Sequence, residues 1–154
     1  MNEQEFNQIL KKDKEQFFIF TVKLPIPFFL VKHSYIITNQ KGKINRIEIW
    51  HFKNKKHPEY GHIHINLFKP TKEIKKTFHK YRKTKFEPEL IGTETGQLAK
   101  KMNKFTNENF QNYKHKNDYK YLSTNCNSFV KWILKQFPET KIKLPKTALG
   151  KNHK

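Results

Sequence analysis

The sequence predicts an α+β fold, with an antiparallel sheet packed against helices. Two observations carry this. Apolar and polar residues alternate with a period of two through much of the first half, and apolar stripes at helical spacing follow in the second half. The order is strands first, then helices. The 154 residues show no repeat, low-complexity block or interdomain linker. They are read as a single domain over 1–154, with a core over about 17–152 and an N-terminal amphipathic extension over 1–16.

Residues 3–14 form a short amphipathic helix with Phe6, Ile9 and Leu10 inward. Residues 17–23, aromatic and β-branched, read as a strand. Pro25 and Pro27 break it, and residues 28–38 are the next strand. The turn Asn39-Gln40-Lys41-Gly42 leads into a hairpin partner over 44–52. There Ile47 and Ile49 alternate with Arg46, Glu48 and Trp50. A polar loop spans 54–60. Residues 61–68 alternate again, His62, His64 and Asn66 against Ile63, Ile65 and Leu67, and Pro70 ends that strand. A helix over 71–82 carries Ile74, Phe78 and Tyr81 as its stripe. Residues 86–91 are a short extended piece interrupted by Pro88, and 93–105 is helical by pattern, with Leu98, Met102 and Phe105 aligned. Residues 107–121 have no clear period and read as irregular. The last helix opens at Cys126 and places Val130, Ile133, Leu134 and Phe137 on one face. The tail 144–151 is extended or looped.

A net charge of +19 points to an anionic partner, either nucleic acid or a membrane surface. Yet of the 32 basic residues only Arg46 and Arg82 are arginine, leaving 30 lysines spread along the whole length. Proteins that read base sequence favour the arginine fork. The richness in Lys, Asn, Ile and Phe also fits a codon bias toward A and T. The one cysteine excludes an internal disulfide. Residues 1–10 have neither the basic head nor the apolar run of a signal peptide. The longest apolar-rich stretch, 24–31, is too short to span a bilayer. These features predict a cytoplasmic monomer, with leaderless secretion left open.

The most informative segment is Asn125-Cys126-Asn127-Ser128-Phe129. Ser123, Thr124 and Asn125 are all able to cap the helix that follows. A thiol in its first turn feels the positive helix end and the unpaired backbone donors there, both of which favour thiolate. A lone cysteine is more commonly a small buried hydrophobe, so a base must be found. His33 is the preferred one, because a strand position gives rigid geometry. A two- or four-residue loop near Lys41-Gly42 places His33 and Glu48 on the same face of the hairpin. Glu48 then orients the ring in a Cys–His–acid arrangement; the alternative is a solvated carboxylate paired with Arg46 or a lysine. His62 and His64, two apart on a strand, are the alternative third member. They also have the spacing to chelate a metal, but no further ligands stand at a recognised spacing, so no metal and no cofactor are expected. Trp50, Asn125, Asn127 and Ser128 are placed as site lining. His51, His57, His79, His115 and His153 lie in polar or basic surroundings and read as surface residues.

The order of a strand histidine, a polar residue on the next strand and a later helix-heading cysteine resembles the circularly permuted branch of the papain-like NlpC superfamily. Lecithin:retinol acyltransferase belongs to that branch. A closer resemblance is to an uncharacterised bacterial domain-of-unknown-function family. It carries a GPNSNTF-like segment before a hydrophobic helix and an LPxxAxGK segment near the C-terminus. Thr124-Asn125-Cys126-Asn127-Ser128-Phe129-Val130-Lys131-Trp132 is similar to the first. Leu144-Pro145-Lys146-Thr147-Ala148-Leu149-Gly150-Lys151 is similar to the second. Ile47-Glu48-Ile49-Trp50 and Gly61-His62-Ile63-His64-Ile65-Asn66-Leu67 resemble its upstream strands, so the likeness covers roughly 28–152. Where that family's segment carries serine, this chain carries Cys126, and Ser123-Thr124 replaces its Gly-Pro.

The resemblance implies a permuted papain-like arrangement. Together with the cysteine and histidine, it predicts a cysteine hydrolase or acyltransferase acting on an amide, ester or thioester through Cys126 and His33. A backbone amide of Cys126 or Asn127 would serve as oxyanion donor. The substrate is expected to be an anionic lipid, a peptide or a cell-wall component. The competing expectations are a non-catalytic member of the same fold that binds an anionic ligand or partner, and a small basic nucleic-acid-binding protein.

Overall fold

The computed structural model describes residues 1–23, 32–71 and 87–152. The elements run α1 (Glu3–Ile9), β1 (Glu15–Lys23), β2 (Lys32–Gln40), β3 (Lys43–Ile49), β4 (Ile63–Ile65), β5 (Glu89–Thr95), α2 (Gly96–Asn109) and α3 (Cys126–Lys135). Among the described residues the strands form one antiparallel sheet in the order β4-β3-β2-β1-β5. The α+β class and the antiparallel sheet are as the patterning predicts. No helix of the described residues is long and apolar enough to cross a membrane.

β1 is covered on both faces, which explains its unbroken aromatic run. Phe17 and Ile19 join Ile36, Ile47 and Ile49 under α2 and α3. Phe18 and Phe20 point the other way, with Tyr35 and Ile37, and meet Phe6 of α1. Phe6 lies edge-on to both, its ring centroid 5.4 Å from Phe18 and 5.8 Å from Phe20. Each fully buried large apolar side chain contributes about 1.5–3 kcal/mol by leaving water. Residues 1–16 therefore supply part of the packing, although α1 itself stops at Ile9, short of the expected residue 14.

The hairpin between β2 and β3 turns on two residues, Lys41 and Gly42, with φ of +49° and +97°. Positive φ at both positions gives the turn whose twist matches the flanking strands, and glycine adopts it without strain. This turn sets Gln40 opposite Lys43 and Ile36 opposite Ile47. The β2–β3 ladder ends at that last pair, and on its other edge β3 pairs with β4 from Ile47 onward, Glu48 facing His64.

Four expected spans are corrected. The helix predicted over 93–105 begins only at Gly96, because 89–95 are taken up as a strand against the free edge of β1, with Thr93 opposite Phe18 and Thr95 opposite Gln16. Alternating β-branched residues favour that edge over a helix start. The region 107–121, read as irregular, begins with the last turn of α2 and a 3-10 turn at Phe110–Asn112. The strands expected over 44–52 and 61–68 are shorter, Lys43–Ile49 and Ile63–Ile65. The helix expected over 71–82 lies almost wholly outside the described residues, as do 28–31 of the second strand.

Candidate functional site

α3 begins at Cys126 because its N-terminus is capped twice. Asn125 Oδ1 accepts from the Asn127 N–H at 2.9 Å and the Ser128 N–H at 3.3 Å, and Ser128 Oγ accepts from the Asn125 N–H at 2.8 Å. This reciprocal box satisfies donors that a helix start otherwise leaves unpaired. Tyr113 Oη lies 2.7 Å from Ser128 Oγ and steadies the same turn. The C-terminal segment clamps it from outside. Leu149 O accepts from Asn125 Nδ2 at 3.1 Å and from Asn127 Nδ2 at 2.8 Å. Gly150 has φ +84°, and a Cβ there would come within 2.5 Å of Asn125 Nδ2. Lys151 Nζ folds the segment on itself by donating to Leu144 O and Pro145 O. The LPxxAxGK-like segment is thus a buckle on the cysteine turn.

Asn127 also ties α3 to β2. Its Nδ2 donates to Lys32 O at 2.9 Å and its Oδ1 accepts from Ser34 Oγ at 2.6 Å. The residue between those two anchors is His33. The join falls beyond Ile36–Ile47, where β2 is no longer paired with β3. There Cys126 comes close enough to act electrostatically on the His33 ring, while its Sγ donates toward Asn127 Oδ1 at 3.8 Å.

His33 Nε2 sits 2.9 Å from Glu48 Oε2. Glu48 is in turn held by Arg46, whose Nη2 donates to Oε2 at 2.9 Å and whose Nε lies 2.8 Å from Oε1. The guanidinium stacks over Tyr35, 3.8 Å from the ring centroid, and donates through Nη1 to Lys69 O at 3.1 Å. Trp50 packs against His33, their ring centroids 4.7 Å apart. His33, Arg46, Glu48 and Cys126 are all buried.

The electrostatics follow from this chain of contacts. Burial disfavours charge on His33, but the charge and hydrogen bond of Cys126, then those of Glu48, outweigh it and raise the ring to about 9. Burial likewise opposes charge on Glu48. Arg46, followed by the hydrogen bond and charge of His33, overrides it and holds the carboxyl at about 2. At neutral pH the arrangement is a buried carboxylate between two cations, with the sulfur at its far end.

Asn125, Cys126, Asn127 and Ser128 thus form the head of α3, while His33, Glu48 and Trp50 form a neighbouring cluster joined to it where Asn127 grips Lys32 and Ser34 on either side of His33. His62 and His64 are not bonded to His33. His62 Nδ1 pairs with Trp50 O at 2.9 Å and His64 Nε2 with Phe52 O at 3.0 Å, so both rings brace the loop after β3. Burial lowers His64, ahead of the opposing effects of the Phe52 carbonyl and Glu48. The Asn127 amide, one of the two expected oxyanion donors, is consumed by the cap. Among the described residues no group of three His, Cys, Asp or Glu could hold a metal ion.

Sequence reasoning missed two contributors, Ser34 and Tyr119, and named Arg46 only as a partner for a solvated Glu48. Arg46 was legible in principle, since it lies two residues from Glu48 on the same strand face. Ser34 and Tyr119 had no such signal. Tyr119 is pushed up by burial and by the neighbouring Cys126 and Tyr121 charges, and its ring packs 5.6 Å from His62. Of the histidines read as surface residues, His51 and His57 are exposed and His115 is half-buried, while His79 and His153 fall outside the described residues.

A family model described as "Protein of unknown function (DUF3750)" matches residues 19–153, so the chain belongs to that family. No curated protein and no solved structure matches it.

Proposed function

We propose that this DUF3750 protein is a cysteine hydrolase or acyltransferase in which Cys126 is the nucleophile, His33 the general acid and base, and Glu48 the residue that orients His33. The observation that carries the reading is the buried His33–Glu48–Arg46 chain, with Cys126 at the head of α3 acting electrostatically on the His33 ring. A structural cysteine has no need of a histidine–carboxylate–arginine chain behind it. The circularly permuted papain-like arrangement belongs to the same proposal. In its favour stand a histidine on an early antiparallel strand, an acid on the adjoining strand and a later cysteine at a helix start.

In this chemistry the Cys126 thiolate attacks the carbonyl carbon of an amide, ester or thioester. A C–S bond forms and the π electron pair moves onto oxygen. The Asn127 and Ser128 N–H groups are donated to Asn125, which leaves the Cys126 N–H at the positive end of α3 to meet that oxygen. Collapse expels the leaving group, which takes a proton from the His33 imidazolium. Water or a second nucleophile then gives a proton to His33 and attacks the acyl thioester, and the thiolate departs. Glu48 keeps the ring in one orientation and stabilises its charge throughout.

The competing reading is a non-catalytic member of the fold that binds an anionic ligand. Its specific supports are the 5 % exposure of Cys126 and the net charge of +19. Incubation with p-nitrophenyl acetate separates the two. The catalytic reading expects a burst of p-nitrophenol stoichiometric with protein, an acetyl group on the Cys126 peptide by mass spectrometry, and loss of both in His33→Ala. Absence of the burst, or acetylation elsewhere at undiminished rate, overturns it.

A further inference from the structure

Four large apolar side chains are prominently exposed among the described residues, and three of them gather at one corner: Tyr121 at 52 %, Leu122 at 73 % and Leu149 at 40 %. Leu122 and Leu149 line one open pocket together with Lys146 and Lys151. The two loops that present them are joined through a single side chain. Asn125 Nδ2 donates to Tyr121 O at 2.6 Å and to Leu149 O at 3.1 Å. The apolar tips are thus held in place before anything binds, which removes most of the ordering cost of burying them.

The charge around them has one sign. Residues 114–123 carry Lys114, Lys116 and Lys120 against Asp118, and residues 141–152 carry Lys141, Lys143, Lys146 and Lys151 with no acid. That is seven cations to one anion. Apolar tips protruding from a cationic surround are the pattern of a surface that dips into an anionic interface while its lysines reach the headgroups. A protein partner would more commonly meet a broader apolar patch with a mixed-charge rim.

We propose that this corner is a docking surface for an anionic lipid bilayer, with Leu122 and Leu149 entering the interface and the surrounding lysines meeting the headgroups. Since Asn125 also caps α3, docking sets the Cys126 turn against the membrane plane. The proposal stands whether or not Cys126 is a nucleophile.

The test is co-sedimentation of the full chain with phosphatidylcholine vesicles, with and without one-third phosphatidylglycerol, at about 0.1 M salt. Wild type is expected to partition onto the anionic vesicles, weakly onto neutral ones, and less as salt rises through the range where the screening length falls below about 10 Å. Leu122→Asp combined with Leu149→Asp is expected to lower the partition at least about tenfold, given the burial value of two leucines. Leu122→Asp alone keeps the test open if the double variant is misfolded, since Leu122 is the most exposed of the three. Leu67→Asp, the fourth exposed apolar residue and not part of this pocket, is expected to bind as wild type does. Equal binding to neutral vesicles, undiminished binding by folded Leu122→Asp, or binding to single-stranded RNA with none to vesicles overturns the proposal.

Discussion

Glu48→Gln isolates the buried carboxylate at the centre of the His33–Glu48–Arg46 chain. The substitution keeps the side chain's size and removes its charge, taking a carboxylate away from the Arg46 guanidinium, which is 1 % exposed. It also weakens the contacts at 2.8, 2.9 and 2.9 Å that link Glu48 to Arg46 and His33. Two routes give the magnitude. Removing one member of a buried ion pair costs about 3–5 kcal/mol. Independently, the fall of the Glu48 pKa from 4.5 to about 2 corresponds to about 3 kcal/mol at about 1.4 kcal/mol per tenfold. A domain of this size has about 5–15 kcal/mol in all, so the variant loses a large share of its stability. With a urea slope of about 1–3 kcal/mol/M, a loss of about 3–5 kcal/mol lowers the midpoint by roughly 1–5 M. Asp118→Asn is the control: it breaks an exposed pair with Lys120, 3.3 Å apart, worth under about 1 kcal/mol. The pH dependence adds a second signature. Because the folded pKa of Glu48 is depressed, its contribution is present above 4.5 and is lost as pH falls through about 2. The acid limb of wild type should carry this loss and that of Glu48→Gln should lack it. Equal urea midpoints for Glu48→Gln and Asp118→Asn would refute the reasoning.

Other outcomes follow from the same contacts. His33 has a raised folded pKa, so its contribution is complete below 6.5 and is lost as pH rises through about 9; urea midpoints measured across that window should decline in wild type and decline less in His33→Ala. Asn127→Ala removes hydrogen bonds to Lys32 O, Leu149 O and Ser34 Oγ and should cost about 2–4 kcal/mol by urea unfolding, with slower Cys126 alkylation because the thiol is no longer held against β2. Gly150→Ala meets both a φ of +84° and the side chain of Asn125 and should lower stability by about 1–3 kcal/mol, visible as a drop of several degrees in Tm.

Alternation along β2 and β3 made the sheet legible, and parity placed His33 and Glu48 on one face once the turn was a two-residue one. The site was legible to the same extent, because strand parity and a helix cap are local rules. Its remainder was set by contacts distant in sequence. Nothing near Asn127 announces that its side chain spans Lys32, Ser34 and Leu149, 22 to 95 residues away. The 93–105 region was misread for a related reason: helical spacing was present, but the free edge of β1 claimed Thr93 and Thr95. His62 and His64 satisfied the rule for a shared strand face, yet backbone carbonyls of the loop after β3 took their ring nitrogens.

The central claim is that His33 activates Cys126. The rate of Cys126 alkylation by iodoacetamide at pH 6.5, in wild type and in His33→Ala with matched folded fractions, tests it most directly. An ion pair between thiolate and imidazolium predicts that His33→Ala reacts at least about tenfold more slowly. Equal rates in the two proteins would contradict the account and return Cys126 to the role of a buried structural thiol.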